Sequence, residues 1–290
     1  MRPICFLSMD DMGLYVADDD LAIGPLGELG WEVETVSWRQ TERPWSDFET
    51  VIIRTPWDYQ GAPEEFLAVL QEIEGLTRLE NPLDIVRWNL DKRYLREMEQ
   101  RGSRIVPTIW DASYSEVNFV CWLSDLETDE LIIKPYVSAT AEHTYRLKRY
   151  DPSLEHVFAT RPFMVQPFMP KIVSEGEYSL FYFNDEFSHA INKSPKLNDF
   201  RVQEEHGGII TEVDPDEKLL AAGIETIDKI GRALLYARVD FVRKDQDNFC
   251  LMELELIEPA LYLRMNDGAP KRFATAIDRR LNGRMLYGDD

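Results

Sequence analysis

Cysteine is scarce. Cys5, Cys121 and Cys250 are the three in 290 residues. An odd number so widely spaced makes neither a disulfide framework nor a zinc site, and a reducing, cytoplasmic compartment is expected. The four histidines, His143, His156, His189 and His206, show no metal-ligand spacing, and no Ser/His or Cys/His pair suggests a side-chain nucleophile. No apolar run approaches the roughly 20 residues that span a bilayer. Asp10 and Asp11 arrive too early for a signal peptide. Walker A and G-x-G-x-x-G loops are missing; Gly24-Pro-Leu-Gly27-Glu-Leu-Gly30 lacks their spacing, so a nucleotide site must be built otherwise. Positive charge is also short, with 32 Lys and Arg against 53 Asp and Glu, a net charge of −21. Such a surface repels a phosphate backbone and argues against nucleic acid. A small anion remains open wherever a local basic cluster holds it.

What is present is ordinary soluble composition, 44% hydrophobic and 29% charged. At roughly 100–200 residues per domain the length suggests two. Residues 3–8 and 50–54 read as buried strands, and 31–38 alternates as a third. Ala17 to Leu29 has helical spacing with Gly30 as its stop, and 63–74 is an amphipathic helix opened by Pro63. This alternation predicts a small parallel α/β unit over residues 1 to about 85, with the boundary near Asn81–Trp88. Asn89 is placed to cap a helix through LDKRYLREMEQ, before a strand at RIVPT. Further strands are expected at 131–136 and 163–169, a hairpin at 178–193 with Asp185 in its turn, and helices at 215–235 and 267–283.

Tyr236 to Pro259 carries the most information. Two alternating runs flank KDQDN, which is turn chemistry. With Gln246 and Asp247 at the turn centre, opposed residue numbers sum to 493. Asp240 then faces Glu253 and Arg238 faces Glu255, all on one face. Val239, Phe241, Met252 and Leu254 fill the other. Two carboxylates about 4 Å apart repel by roughly 4 kcal/mol at an effective dielectric near 20. Asp240, Glu253 and Glu255 together therefore call for positive charge, from Arg238 and from Mg²⁺, which takes carboxylate oxygens and shares substrate phosphates. Taken alone, the face reads equally well as a solvated acidic surface. Lys134 sits in an apolar strand, LIIKPY, where a buried lysine must be paired or lose its charge. Lys92, Lys193 and Arg201 each read alone as surface charges.

Together these residues resemble the ATP-grasp superfamily of carboxylate–amine ligases, from about residue 80 to 260. Asp91-Lys92 before a VPT strand, and KPYVSATAEH at 134–143, look like the two ATP lysines and a mobile phosphate loop. This loop uses Ser138, Ala139, Thr140 and Ala141 where the family is often Gly-rich. MVQPFM at 164–169 looks like the hinge whose backbone holds adenine, which singles out Gln166, Phe168 and Met169. Glu177 resembles the ribose-binding glutamate and Lys193 the phosphate-binding lysine. R-x-D followed by E-x-E resembles the metal motif, with Glu255 where Asn is usual. RTPWDY, VRWNLDKRYL, VSATAEHT and LMELELIEP are similar to a narrower group, the cyclo-ligase of D-cycloserine biosynthesis and its relatives.

The resemblance implies an α/β (α+β) ATP-grasp fold in three parts: an N-terminal α/β unit (1–85), a central lid (86–168) and a C-terminal antiparallel sheet with helices (169–290). It implies ATP and Mg²⁺, with Mn²⁺ as an alternative, and activation of a carboxylate as an acyl phosphate for attack by an amine. Asp240, Glu253 and Glu255 become the metal ligands, and Lys92, Lys134, Gln166, Phe168, Met169 and Glu177 the nucleotide contacts. Arg238, Lys193 and Arg201 become the catalytic cations. The run after strand TVII lies where open α/β sheets bind ligands. There Arg54 suits a carboxylate and Asp58 an ammonium, with Trp57 beside them; a structural Trp-Asp turn is the alternative. Expected partners are small carboxylate and amine substrates, with no nucleic acid and no membrane, and a homodimer is open. An intermolecular amino-acid or peptide ligase, and a non-catalytic ATP-binding regulator, stay as rivals.

Overall fold

The computed structural model describes residues 1–13, 15–40, 44–138, 143–196, 199–202, 204 and 207–283. Ala139 to Glu142, the centre of the expected phosphate loop, lie outside the described residues.

β1 (Arg2–Ser8), β2 (Trp31–Ser37), β3 (Thr50–Thr55) and β4 (Arg78–Glu80) form a parallel sheet in the order β2-β1-β3-β4. β3 is buried along its whole length, as a strand covered on both faces must be. α1 (Ile23–Glu28) links β1 to β2, and α2 (Pro63–Leu76) links β3 to β4. α2 starts on Pro63 and buries Phe66, Leu70 and Ile73, one stripe at helical spacing. The helix expected from Ala17 starts only at Ile23, after a single 3-10 turn at Asp19–Ala22.

α3 (Leu83–Asn89) and α4 (Tyr94–Gln100) replace the single helix expected after Asn89. Asn89 ends α3 rather than capping the next helix. In place of the strand expected at RIVPT there are isolated bridges, from Ile105 to Leu251 and, just after it, from Ile109 to Val165. α5 (Glu116–Asp125), β5 (Leu131–Pro135), β6 (Tyr145–Leu147), α6 (Glu155–Phe158) and β7 (Phe163–Pro167) follow. The three strands are antiparallel in the order β6-β5-β7. They enclose an aromatic core of Phe119, Trp122, Phe158 and Phe163.

After α7 (Lys171–Ser174) come β8 (Glu177–Phe183), β9 (Glu186–Ser194), β10 (Ile209–Glu212), α8 (Glu217–Ile230), β11 (Tyr236–Arg243), β12 (Phe249–Glu255) and α9 (Ala269–Leu281). The five strands form an antiparallel sheet in the order β10-β9-β8-β11-β12. Asn184 and Asp185 join β8 to β9 with both φ positive, 48° and 65°, as a two-residue type I′ turn requires. α8 stops five residues short of the expected 235, because Gly231 turns left-handed at φ 72°.

One face of this sheet packs on α3, α4 and α8 through Ile85, Leu95, Met98, Leu180, Ile227 and Leu254. Tyr94, Leu95, Met98 and Ile105 thus share a core with the C-terminal sheet, although the sequence assigns 86–168 to the lid. The other face shares a core with the N-terminal sheet, where Phe273 and Ile277 of α9 meet Ile4, Phe6, Ile52, Phe181 and Tyr236. No described helix is long and apolar enough to cross a membrane.

Candidate active site

A cleft of about 520 Å³ lies among the three sheets, lined from β5, β7, β9, β11, β12 and the turn after β3. β11 and β12 supply its acidic floor. Asp240 pairs with Glu253 and Arg238 with Glu255, the expected register. Nearer the turn Phe241 opposes Leu251, so Met252 is an extra residue, a β-bulge. The bulge corrects the expected apolar face. Leu251 packs there with Val239, Phe241 and Leu254, and Met252 lines the cleft.

Ligand oxygens of Asp240, Glu253 and Glu255 all lie within 4.8 Å of one another. Arg238 donates to Asp240 at 3.0 Å and also to Glu255. Lys193 lies 3.2 Å from Asp240 and also pairs with Glu177. Lys92 bridges Glu253 and the Ser138 carbonyl, both at 2.8 Å. Burial raises the Asp240 carboxyl, but Arg238 and Lys193 outweigh it and hold it at about 2. Burial likewise opposes Lys92 and Lys134 at Glu253, and the lysines prevail. At Glu255 burial wins over Arg238, helped by the charges of Asp240 and Glu253, and pushes the carboxyl up to about 8. Three hard oxygen donors on one face, one of them forced towards neutrality, suit a divalent cation such as Mg²⁺.

Lys134 is 9% exposed on β5 and faces the same cleft. Among the described residues it has no ion pair or hydrogen bond, and burial lowers its ammonium to about 8. A buried cation with no directly bonded anion is costly, so this one suits an anionic ligand. Gln166, Phe168 and Met169, expected at the hinge, line the cleft as well. Gln166 donates to Thr108 at 2.9 Å, and Arg146 stacks 3.5 Å over the Phe168 ring. Arg201 reaches the cleft wall and forks onto Asp199.

The expected acceptor clamp is not assembled. Arg54 is 1% exposed, and its guanidinium is committed to Asp19 at 2.8 Å, the Ile53 carbonyl at 3.2 Å and the Pro259 carbonyl at 2.8 Å. Asp58 accepts from Trp38 Nε1 at 2.8 Å and pairs with Arg39. Neither faces the cleft. A strand buried on both faces carries its arginine into the core, and the reading of 50–54 as a buried strand holds for Arg54 as well. Trp57 does line the cleft, and its Nε1 donates to the Glu258 carbonyl at 2.9 Å.

These contacts belong to a larger pattern after β12. The Tyr236 hydroxyl lies 2.7 Å from both the Ile53 and Ile257 carbonyls and has one proton to share. Trp57 holds the Glu258 carbonyl, Arg54 that of Pro259, Arg238 that of Ala260 at 3.4 Å, and His189 Nε2 that of Leu261 at 3.0 Å. Five successive carbonyls with no strand partner are thus met by side chains from β3, the turn after it, β9 and β11.

A family model, D-cycloserine synthetase DcsG N-terminal domain, matches residues 4–81. The cycloserine biosynthesis protein DcsG of Streptomyces lavendulae is 30% identical over 278 residues, spanning 87% of this chain and 90% of the relative. The chain belongs to the D-cycloserine synthetase family of ATP-grasp ligases. The crystal structure of D-cycloserine synthetase DcsG matches this ATP-grasp ligase with a TM-score of 0.82 and 27% identity, over 96% of this chain and 99% of that one. The ATP-grasp ligase PsnB, complexed with a phosphomimetic variant of its minimal precursor, Mg and ADP, shares the fold at 14% identity. Its TM-score is 0.65, over 97% of this chain and 98% of PsnB. As a member of this family the protein is an ATP-dependent ligase that forms ADP and phosphate.

Tyr59, the last residue of the run RTPWDY, lines the cleft of this ATP-grasp ligase, and beside it stands Glu258, which the sequence reading did not single out. Burial pushes the Glu258 carboxyl up to about 7, against hydrogen bonding from Tyr59. The one signal for Glu258 was its place in LMELELIEP, where the alternation has already ended.

Proposed function

We propose that this ligase activates a small amino-acid-derived carboxylate with ATP and Mg²⁺, and that an amine of the same molecule closes a ring. The substrate carboxylate oxygen attacks the γ-phosphorus and ADP leaves. The amine nitrogen then attacks the acyl carbon, the carbon–oxygen bond to phosphate breaks, and the amine proton leaves with phosphate. Lys134 carries this reading, as a buried cation that makes no ion pair or hydrogen bond among the described residues and lines the cleft that holds Asp240, Glu253 and Glu255.

Lys92, Lys134 and Lys193 are assigned to the triphosphate, the Gln166–Met169 backbone to adenine, and Glu177 to the ribose. Asp240, Glu253 and Glu255 would hold Mg²⁺, or Mn²⁺ in its place. Bound there, the ion would neutralise charge on the phosphates. Arg238 and Arg201 supply positive charge for the developing oxyanion. The protein's share is positioning and charge neutralisation.

Similarity to the 30% identical cycloserine biosynthesis protein DcsG favours ring closure. A second reading, ligation on a peptide, is favoured by shared fold alone with the macrocyclase MdnC bound with precursor peptide MdnA, at 15% identity and a TM-score of 0.66. ADP release with a panel of amino-acid derivatives, each supplied without a second amine, separates the two. Turnover on a single derivative, with hydroxylamine trapping the acyl phosphate, supports ring closure. Turnover only with an added amine or peptide supports the second reading. Glu253→Gln should abolish turnover at millimolar Mg²⁺ with the fold intact; activity within threefold of wild type would remove the metal assignment.

A further inference from the structure

The chain's own cations neutralise most carboxylates in the cleft. Glu177 has Lys193, Asp240 has Lys193 and Arg238, Glu253 has Lys92, Glu255 has Arg238, and Glu204 has Arg264. Glu258 lines the same cleft and has no ion pair among the described residues. Its polar neighbour is the Tyr59 hydroxyl, whose own ionisation is pushed well up by burial first and then by Glu258. Tyr59 is therefore a neutral donor. Trp57, Tyr59 and Tyr262 also line this cleft, and aromatic faces favour a cation.

The position of Glu258 is prepared. Its own carbonyl and those of the residues on either side are held by Trp57, Tyr236 and Arg54. Irregular backbone would ordinarily leave such carbonyls to water. Here three side chains from the core fix it instead, so the carboxyl is delivered to one place. A half-buried carboxylate without its own cation suits a ligand that brings one.

We propose that Glu258 binds the ammonium group of the substrate and selects amino acids over acids that lack the amine. The assignment rests on the ligase reading above and replaces Asp58 in that role. Tyr59 donates to the carboxylate, and the Trp57 contact sets its reach.

The test uses the full chain and Glu258→Gln, which keeps volume and removes charge. One arm measures ADP release with matched pairs of amino acids and their desamino acids. A second titrates D-cycloserine, which carries a primary amine, into protein saturated with Mg²⁺ and ADP. Wild type should favour the amino member of a pair at least tenfold. Glu258→Gln should lose that preference and bind D-cycloserine roughly ten- to hundredfold more weakly. Its ADP affinity should stay within twofold, and Glu258→Asp should recover part of the loss. A preference retained by Glu258→Gln, or absent from wild type, overturns the proposal. If no acid supports turnover, the ligase reading of the substrate fails, and the titration alone decides Glu258; equal results for wild type and variant then overturn it.

Discussion

Lys134 and Arg54 are two buried cations with opposite fates. Lys134 is without a described partner and faces the cleft, whereas Arg54 has an anion and two carbonyls. Lys134→Ala should weaken ATP binding about ten- to hundredfold, since a charge-assisted hydrogen bond contributes roughly 1.5–3 kcal/mol. Lys148→Ala, outside the cleft, is the control, and equal affinities in calorimetry would deny Lys134 its phosphate. Arg54→Ala should instead unfold easily. Removing one partner of a buried pair costs about 3–5 kcal/mol, and Asp19 would be left without its cation. Urea titration reads that loss. Unchanged stability with a tenfold rise in the carboxylate KM would return Arg54 to substrate binding.

At the scale of elements, the β11–β12 hairpin shows how an edge strand is protected. β12 ends the sheet, and an open edge invites pairing with other chains. Side chains cover it. Asn89 donates to the Leu254 carbonyl at 3.0 Å and accepts from the Leu256 N–H at 2.9 Å. The Tyr94 hydroxyl accepts from the Leu254 N–H at 2.9 Å. Asn89→Ala leaves buried backbone groups unpaired, at about 1–3 kcal/mol each. Its urea midpoint should drop, and amide exchange at Leu256 should quicken; an unchanged Leu256 rate would show that another group covers that edge. Because Glu255 sits between these contacts and Glu253 adjoins them, the same variant should also lower Mg²⁺-dependent turnover.

Across the molecule, the N-terminal and C-terminal sheets share one core through α9, so local damage there is felt globally. His189 is the acid-sensitive point of that contact. Its ring stacks on Phe181 at 4.3 Å and holds the Leu261 carbonyl. Burial lowers its pKa from 6.5 to about 4. A histidine kept neutral in the fold contributes stability that is present above pH 6.5 and lost as pH falls towards 4. At 1.36 kcal/mol per pKa unit this is about 3 kcal/mol. Unfolding free energies measured between pH 7 and 4 should fall more steeply for wild type than for His189→Gln, and parallel curves would rule out the contribution.

Short-range chemistry decided much of this in advance. The alternation of Tyr236 to Glu255 around KDQDN specified a hairpin with Arg238, Asp240, Glu253 and Glu255 on one face, because side-chain direction in a strand follows from parity. Pro63, Asp185 and the apolar runs placed their elements for similarly local reasons. Parity could not foresee the bulge at Met252, which lets a turn of different length keep the register at the carboxylates. The run at 50–54 marked a buried strand, but not that Arg54 would find Asp19 as its partner, away from the cleft. Asn89 read as a cap, because a polar residue before a helix serves its own backbone as readily as a distant strand. The carbonyl contacts around Glu258 join residues as far apart as Arg54 and Pro259, 205 positions. Such contacts are set by how sheets pack, and no local pattern records them.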